Sequence, residues 1–196
     1  MKYIIMADGK GTRWANYSGI PKHLIEIDGE TLLARTVRLL KKFDAGCEVI
    51  ITSHDERYEV AGATRYEPKN NIYEVDRFTE ELIEDKVCFL YGDTFYSEEA
   101  VREITGTPAN GGILFFGNAK SIVAVKASDG MLLKHHVDRV RQLFIEGKIE
   151  KCIGWQVYQS YMNLPFGEKK IADRFVVLAD GTQDFNTPED YNSRKK

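Results

Sequence analysis

IIMADGKGTRWANYSGIPKHLIEI, residues 4–27, contains the order of features that decides the fold. An apolar run stops at Asp8-Gly9, two glycines flank Lys10, and Arg13 follows at once. Pro21-Lys22 then precedes a second apolar piece. Residues 2–7 (KYIIMA) form a continuous apolar run after Lys2, the pattern of a strand buried on both faces. Gly9 and Gly11 lack a Cβ, so the chain can turn sharply there and bring its backbone close to a ligand. Successive N–H groups in such a loop form an anion-binding concavity. Arg13 supplies a planar fork for phosphate oxygens, and Lys10 and Lys22 supply point charges. A Walker loop is absent. The dinucleotide fingerprint fails because Trp14 stands where its last glycine belongs. Kinase, ATPase and NAD-enzyme readings therefore lack support.

Outward from this stretch, strands and helices alternate. Residues 31–43 place leucines near 3.6 spacing with Arg35, Arg38, Lys41 and Lys42 opposite, which predicts an amphipathic helix. Further helices are predicted over 72–85, 98–104, 132–146 and from Pro188, where proline suits a first turn. Strands are predicted over 24–27, 48–52, 62–66, 87–91, 112–116, 121–126 and 175–178. This alternation implies an α/β fold with a mostly parallel sheet covered on both faces.

The chain of 196 residues suits one domain over 1–196. A formal net charge of −3 gives no basic field for nucleic acid, so any phosphate binding must be local. Cys47, Cys88 and Cys152 have no metal-ligand spacing and read as reduced packing residues. No apolar stretch approaches the length of a membrane span, and the N-terminal apolar run is too short for a secretory signal. A cytoplasmic protein without membrane contact is the expectation.

In open α/β sheets, ligands bind outside the carboxyl ends of the strands. Three features occupy such ends: residues 8–13, Asp93 after VCFLY, and residues 184–186 near the last strand. Their convergence argues for a single site. Thr187 is the natural cap of the terminal helix, which frees Asp184 and Asn186 for other work. Glu189 and Asp190 in its first turn read as structural.

Gly9-Lys10-Gly11-Thr12-Arg13 followed by Pro21-Lys22-His23-Leu24 resembles the signature loop of the nucleotidyltransferase family with a GT-A-like fold. That family includes sugar-1-phosphate nucleotidyltransferases and phosphocholine cytidylyltransferases. Gly92-Asp93 resembles its mid-chain metal corner, and residues 182–191 (TQDFNTPEDY) its late metal corner. The resemblance spans nearly the whole chain. It implies a Rossmann-like three-layer α/β/α sandwich with a mostly parallel mixed sheet. It also implies transfer of a nucleoside monophosphate from an NTP (CTP, UTP or GTP) to a small phosphorylated acceptor, releasing pyrophosphate. Ala7 and residues 9–13 would bind the nucleotide, with Arg13 and Lys22 catalytic. Asp93, Asp184 and Asn186 would hold Mg²⁺, with Mn²⁺ as an alternative. Lys22, Asn71, Lys126 and Trp155 would meet the acceptor.

The chain departs from the family pattern at Asp8, where alanine or glycine is usual. A carboxylate beside a triphosphate must point away, bind metal or mark an altered site. Acceptor cues conflict. Asn70-Asn71-Ile72 resembles a segment of the phosphocholine enzymes, whereas GKGTR is the form common among sugar enzymes. Trp155, Tyr158, Tyr161 and Phe166 offer either an aromatic wall or plain core. Two rivals stand beside the transferase: a GT-A glycosyltransferase using a nucleotide-sugar, and a non-catalytic nucleotide-binding domain.

Overall fold

The computed structural model describes residues 1–15 and 17–194, the side chain of residue 18 excepted. In chain order its strands are β1 (Lys2–Met6), β2 (Glu26–Ile27), β3 (Glu30–Thr31), β4 (Glu48–Thr52), β5 (Thr64–Tyr66) and β6 (Val87–Tyr91). They continue as β7 (Thr94–Phe95), β8 (Ile113–Gly117), β9 (Ile122–Ala127), β10 (Phe175–Val177) and β11 (Gln183–Asp184). The helices are α1 (Leu32–Phe43), α2 (Glu98–Gly106), α3 (Gly130–Ile145), α4 (Gly154–Met162) and α5 (Pro188–Arg194).

A seven-stranded sheet runs β10-β8-β9-β6-β1-β4-β5. β1 lies between β4 and β6 and is parallel to both, with Ile4 opposite Ile50 and Phe89. The β4–β5 and β8–β10 pairs are parallel too; β9 is antiparallel to β6 and β8. The sheet is thus mixed and mostly parallel, as expected.

Strand alternation sends neighbouring residues to opposite layers. Tyr3 and Ile5 of β1 join Leu33, Val37 and Leu40 of α1 and Val101 and Ile104 of α2. Ile4 and Met6 face the other way, toward Leu133 and Val137 of α3 and Trp155 and Tyr158 of α4. Burial on both faces explains why KYIIMA shows no polar alternation. Trp14, Ile25, Ile27, Leu32, Phe95 and Phe185 form a third, smaller core beneath the loop after β1.

Caps set most helix starts. Thr31 accepts the Ala34 N–H at 3.2 Å, Ser97 that of Ala100 at 2.9 Å, and Asp129 that of Leu132 at 2.9 Å. The three cysteines are buried and free, as expected. No helix among the described residues is long and apolar enough to cross a membrane.

The predicted helix over 72–85 is corrected to two short 3₁₀ turns, Glu74–Arg77 and Glu80–Leu82. The buried Asp76 carboxylate accepts the N–H groups of Ile72 (3.1 Å) and Tyr73 (2.8 Å) and pairs with Arg141 of α3 at 2.9 Å. A side chain that captures local amides competes with an α-helical ladder. The apolar spacing is still used, since Val75 and Phe78 are buried, but Ile72 faces outward.

β6 continues through Gly92 into β7. The Gly92 N–H bonds Met6 O at 3.0 Å, and a Cβ at position 92 would sit 2.9 Å from that oxygen. Next along the chain, the buried Tyr96 hydroxyl lies 2.6 Å from Val123 O and 3.1 Å from Tyr91 O, tying β6 to β9. Tyr96→Phe leaves both carbonyls without this donor. It should lower unfolding stability by about 1–2 kcal/mol in urea titrations; an unchanged midpoint would show that the clamp is not needed.

Candidate functional site

The site lies where β1 and β6 end. The chain leaves β1 at Ala7, whose N–H still bonds Thr52 O at 3.1 Å. Gly11 adopts φ +59°, and its carbonyl accepts from Trp14 (2.9 Å) and Ala15 (3.2 Å). Among the described residues, the backbone N–H groups of Gly9 through Arg13 have no hydrogen-bond partner. They follow one another as a row along the loop, Gly9 to Gly11 lining one cavity and Gly11 to Arg13 another. Trp14 anchors the far end of the row: it is buried in the small core, and its Nε1 donates to Ile20 O at 2.8 Å.

Asp8 does not enter this row. Its carboxylate accepts the His54 N–H at 3.0 Å, approaches His54 Nδ1 at 2.8 Å and accepts from Asn71 Nδ2 at 2.7 Å. Asn71 Nδ2 also reaches Asp8 O at 2.6 Å. Of the three readings of Asp8, the structure shows the carboxylate pointing away. Asn71 braces Asp8 and does not line the central cavity described below.

Lys22 sits on a 3₁₀ turn, Lys22–Leu24, and its ammonium pairs with the Asp93 carboxylate. Both side chains are about nine-tenths buried. Burial disfavours the Asp93 charge, but the neighbouring positive charges of Lys22 and Arg77 outweigh it and hold the carboxyl below its usual range. The adjacent His23 is buried, with Nδ1 2.9 Å from the Tyr58 hydroxyl. Burial, then the nearby Lys22 charge, pushes its pKa down to about 3.

The two acidic corners meet through a ribbon that sequence spacing could not reveal. β7 and β11 pair antiparallel with Thr94 opposite Asp184, and Phe185 N–H donates to Asp93 O at 2.8 Å. Asp184 accepts from Ser121 Oγ at 3.0 Å and from the Asn186 amide. Asn186 Oδ1 in turn accepts from Arg13 at 2.7 Å, which closes the ring from the late corner back to the first loop. Asp190 accepts the N–H groups of Asn186 and Thr187, the structural role read from sequence.

A cavity of about 340 Å³ opens among these groups, bounded by Arg13, Lys22, Asp93 and Asp184 and reaching Trp155 and Lys169. Arg77 also lines it, and sequence reasoning missed this residue. Its guanidinium would sit 3.2 Å from a Cβ at position 9, so Gly9 admits it, and its buried Nε has no partner among the described residues. Among the described residues the guanidinium pairs with Glu74 at 3.3 Å. The signal lay inside the segment misread as a continuous helix. A second cavity of about 730 Å³ lies across the loop, bounded by Asp8, Lys10, His23, His54 and Tyr58.

Lys126 is placed elsewhere. It is 2% exposed, and its Nζ donates to Ile104 O, Thr105 O and Thr107 O at 2.8–3.0 Å. It caps the carboxyl end of α2 and does not reach the cavity, which corrects the acceptor expectation. Trp155 reaches the cavity with an edge, while most of its ring belongs to the core. Among the described residues no three His, Cys, Asp or Glu side chains cluster as a metal cage.

One strand-end edge of an open α/β sheet thus gathers loop amides unpartnered among the described residues, flanking cations and paired acidic corners. The model of the MobA-like NTP transferase domain matches residues 3–113, more than half of the chain, and the chain belongs to that family. Among solved structures, it is similar to the CTP:phosphocholine cytidylyltransferase from Streptococcus pneumoniae, with 14% identity and a TM-score of 0.63, covering 99% of this chain and 97% of that one. The inositol-1-phosphate CTP transferase from T. maritima gives 14% identity and 0.59, over 99% and 92%. The 4-diphosphocytidyl-2C-methyl-D-erythritol synthase from Anaerococcus prevotii gives 14% and 0.64, over 98% and 92%. At this identity the likeness establishes the fold. No match is found among curated protein sequences.

Two outcomes follow from the buried cations. His23 must stay neutral when folded, so the unfolded chain binds the extra proton between its unfolded pKa of about 6.5 and the folded value of about 3. Stability therefore falls as pH drops through that window, by up to about 1.4 kcal/mol per pH unit from this group. His23→Gln should flatten the slope by close to one proton in urea titrations at several pH values. Lys126→Met should cost about 1–3 kcal/mol by leaving α2 carbonyls unpaired, while acceptor KM stays put; a large rise in that KM would return Lys126 to the site.

Proposed function

We propose that this protein transfers a nucleoside monophosphate from an NTP to a small phosphorylated acceptor and releases pyrophosphate. The observation that carries the reading is the run of N–H groups from Gly9 to Arg13, unpartnered among the described residues, with Arg13, Lys22 and Arg77 beside it. Family membership and the fold shared with nucleotidyltransferases support it.

The reaction brings two anions together, so it needs charge neutralisation and in-line positioning more than proton transfer. The loop amides hold the terminal phosphates. Arg13, fixed by Asn186, closes over them as a planar fork. Lys22 leaves Asp93 to meet the α-phosphate and the incoming acceptor oxygen, neutralising charge as it builds. Arg77, packed against Gly9, adds a further cation. The acceptor phosphate is already ionised at neutral pH, so no strong general base is required.

The carboxylates of Asp93 and Asp184 are hard anionic oxygen ligands and would suit a Mg²⁺ that keeps phosphate and water oxygens as its other ligands; Asn186 Oδ1, the third candidate, already accepts from Arg13. Such an ion would supply further charge neutralisation at the phosphates.

Pyrophosphate release over four NTPs and a panel of acceptor phosphates, with Mg²⁺ or EDTA, tests the reading. No pyrophosphate with any pair sinks it, and nucleoside diphosphate released from a nucleotide-sugar favours the glycosyltransferase instead. Asp93→Ala and Lys22→Ala should each lower kcat by 10²-fold or more, on the scale of losing one charge-stabilising group. Arg77→Ala should act chiefly on the NTP, raising its KM about tenfold or more; an unchanged KM would remove Arg77 from the site.

A further inference from the structure

The end of the central cavity farthest from the loop bears on the acceptor. Trp155 would be the natural seat for a quaternary ammonium group there, since a cation rests favourably over an indole face. That place is already taken. The Lys169 ammonium lies 5.4 Å from the Trp155 ring centroid, and Phe175 stacks on the ring at 5.5 Å with an 18° tilt. Trp155 Nε1 donates to Lys120 O at 3.3 Å, and Lys169 Nζ donates to the same oxygen. The indole is therefore fixed on its edge as well as its face.

The surrounding charge points the same way. Lys120 and Lys169 both line the cavity past Asp184. Behind Trp155 lies a further cavity of about 420 Å³, which shares Ile153, Trp155 and Lys169 with the first. It adds Lys148, Lys151 and Glu150, with the buried amides of Gln156 and Gln159 alongside. Lys148 pairs with Glu146, outside the lining, at 2.7 Å. Lys120, Lys151 and Lys169 remain; Glu150 is the one carboxylate lining the further cavity, and Glu74, Asp93 and Asp184 line the central one. This basic wall stands on a chain whose net charge is −3.

We propose that the acceptor is anionic at both ends: a reacting phosphate near Lys22, and a carboxylate or second phosphate on its body that meets Lys169 and Lys120. A cationic alcohol phosphate is disfavoured, because its ammonium would have to displace Lys169 from Trp155 or sit beside it. The proposal rests on the nucleotidyl-transfer reading for the identity of the pocket's occupant, and it is tested by binding, without turnover.

The experiment is isothermal titration of phosphocholine, glucose 1-phosphate, a hexuronate 1-phosphate and glucose 1,6-bisphosphate into the full chain, wild type and Lys169→Glu. The two doubly anionic ligands should bind at least tenfold tighter than phosphocholine, with glucose 1-phosphate between. Lys169→Glu should erase or reverse that order and leave NTP affinity unchanged. Lys120→Glu provides a second variant should the first fail to fold. Phosphocholine binding as tightly as the dianionic ligands, no binding by either of them, or an order unmoved by both variants would overturn the proposal. A charge-ordered series without pyrophosphate release would sustain it while removing the transferase reading. Pyrophosphate release indifferent to acceptor charge would do the reverse.

Discussion

The ion pair between Lys22 and Asp93 is the constraint around which the site is arranged. Two charges this deeply buried are expensive to hold apart from water, and losing either partner alone strands the other. The surroundings are built to avoid that. His23 is kept neutral beside them, Arg77 adds positive potential, and Phe185 N–H satisfies the Asp93 carbonyl. A 3₁₀ turn delivers the lysine and a glycine-dependent strand end delivers the aspartate. Neither element reaches the pair unless β1 and β6 are side by side in the sheet.

That adjacency explains why the sheet's central strand matters beyond its own packing. β1 supplies both layers with core residues, and its carboxyl end releases the loop that carries the free amides. The third small core packs Trp14 of the loop with Ile27 of β2, Phe95 of β7 and Phe185 just after β11, joining the loop to the late acidic corner. Arg13, Asn186, Asp184 and Ser121 form a continuous polar chain over the top.

Much of this was legible in the sequence because local signals and the global fold agree. The unbroken apolar run of β1, the amphipathic α1 and the Gly-Lys-Gly loop each act within a dozen residues. The first loop and Asp93 gathered as expected, since a parallel sheet collects its carboxyl ends on one edge, whereas Asp184 arrived through the β7–β11 ribbon. Segment 72–85 failed because its apolar period was real but Asp76 captured the amides a helix would have used, and Arg77 was lost with it. Lys126 failed for a different reason. A lysine at the end of an apolar strand looks solvated or functional in sequence, and only the packing of α2 shows three carbonyls waiting for it. Asp8 looked disruptive because the donors that restrain it, His54 and Asn71, come from segments 46 and 63 residues away.

The loop from Asp8 to Gly11 separates two cavities, one toward Asp93 and one toward His54 and Tyr58. It is pinned at Asp8 by His54 and Asn71 and, beyond it, at Trp14 by the small core. A guest in either chamber therefore meets the same backbone at Gly11 and the same lysine, Lys22. The loop's glycines make that partition thin, and the anchors at its two ends decide how far it can bow.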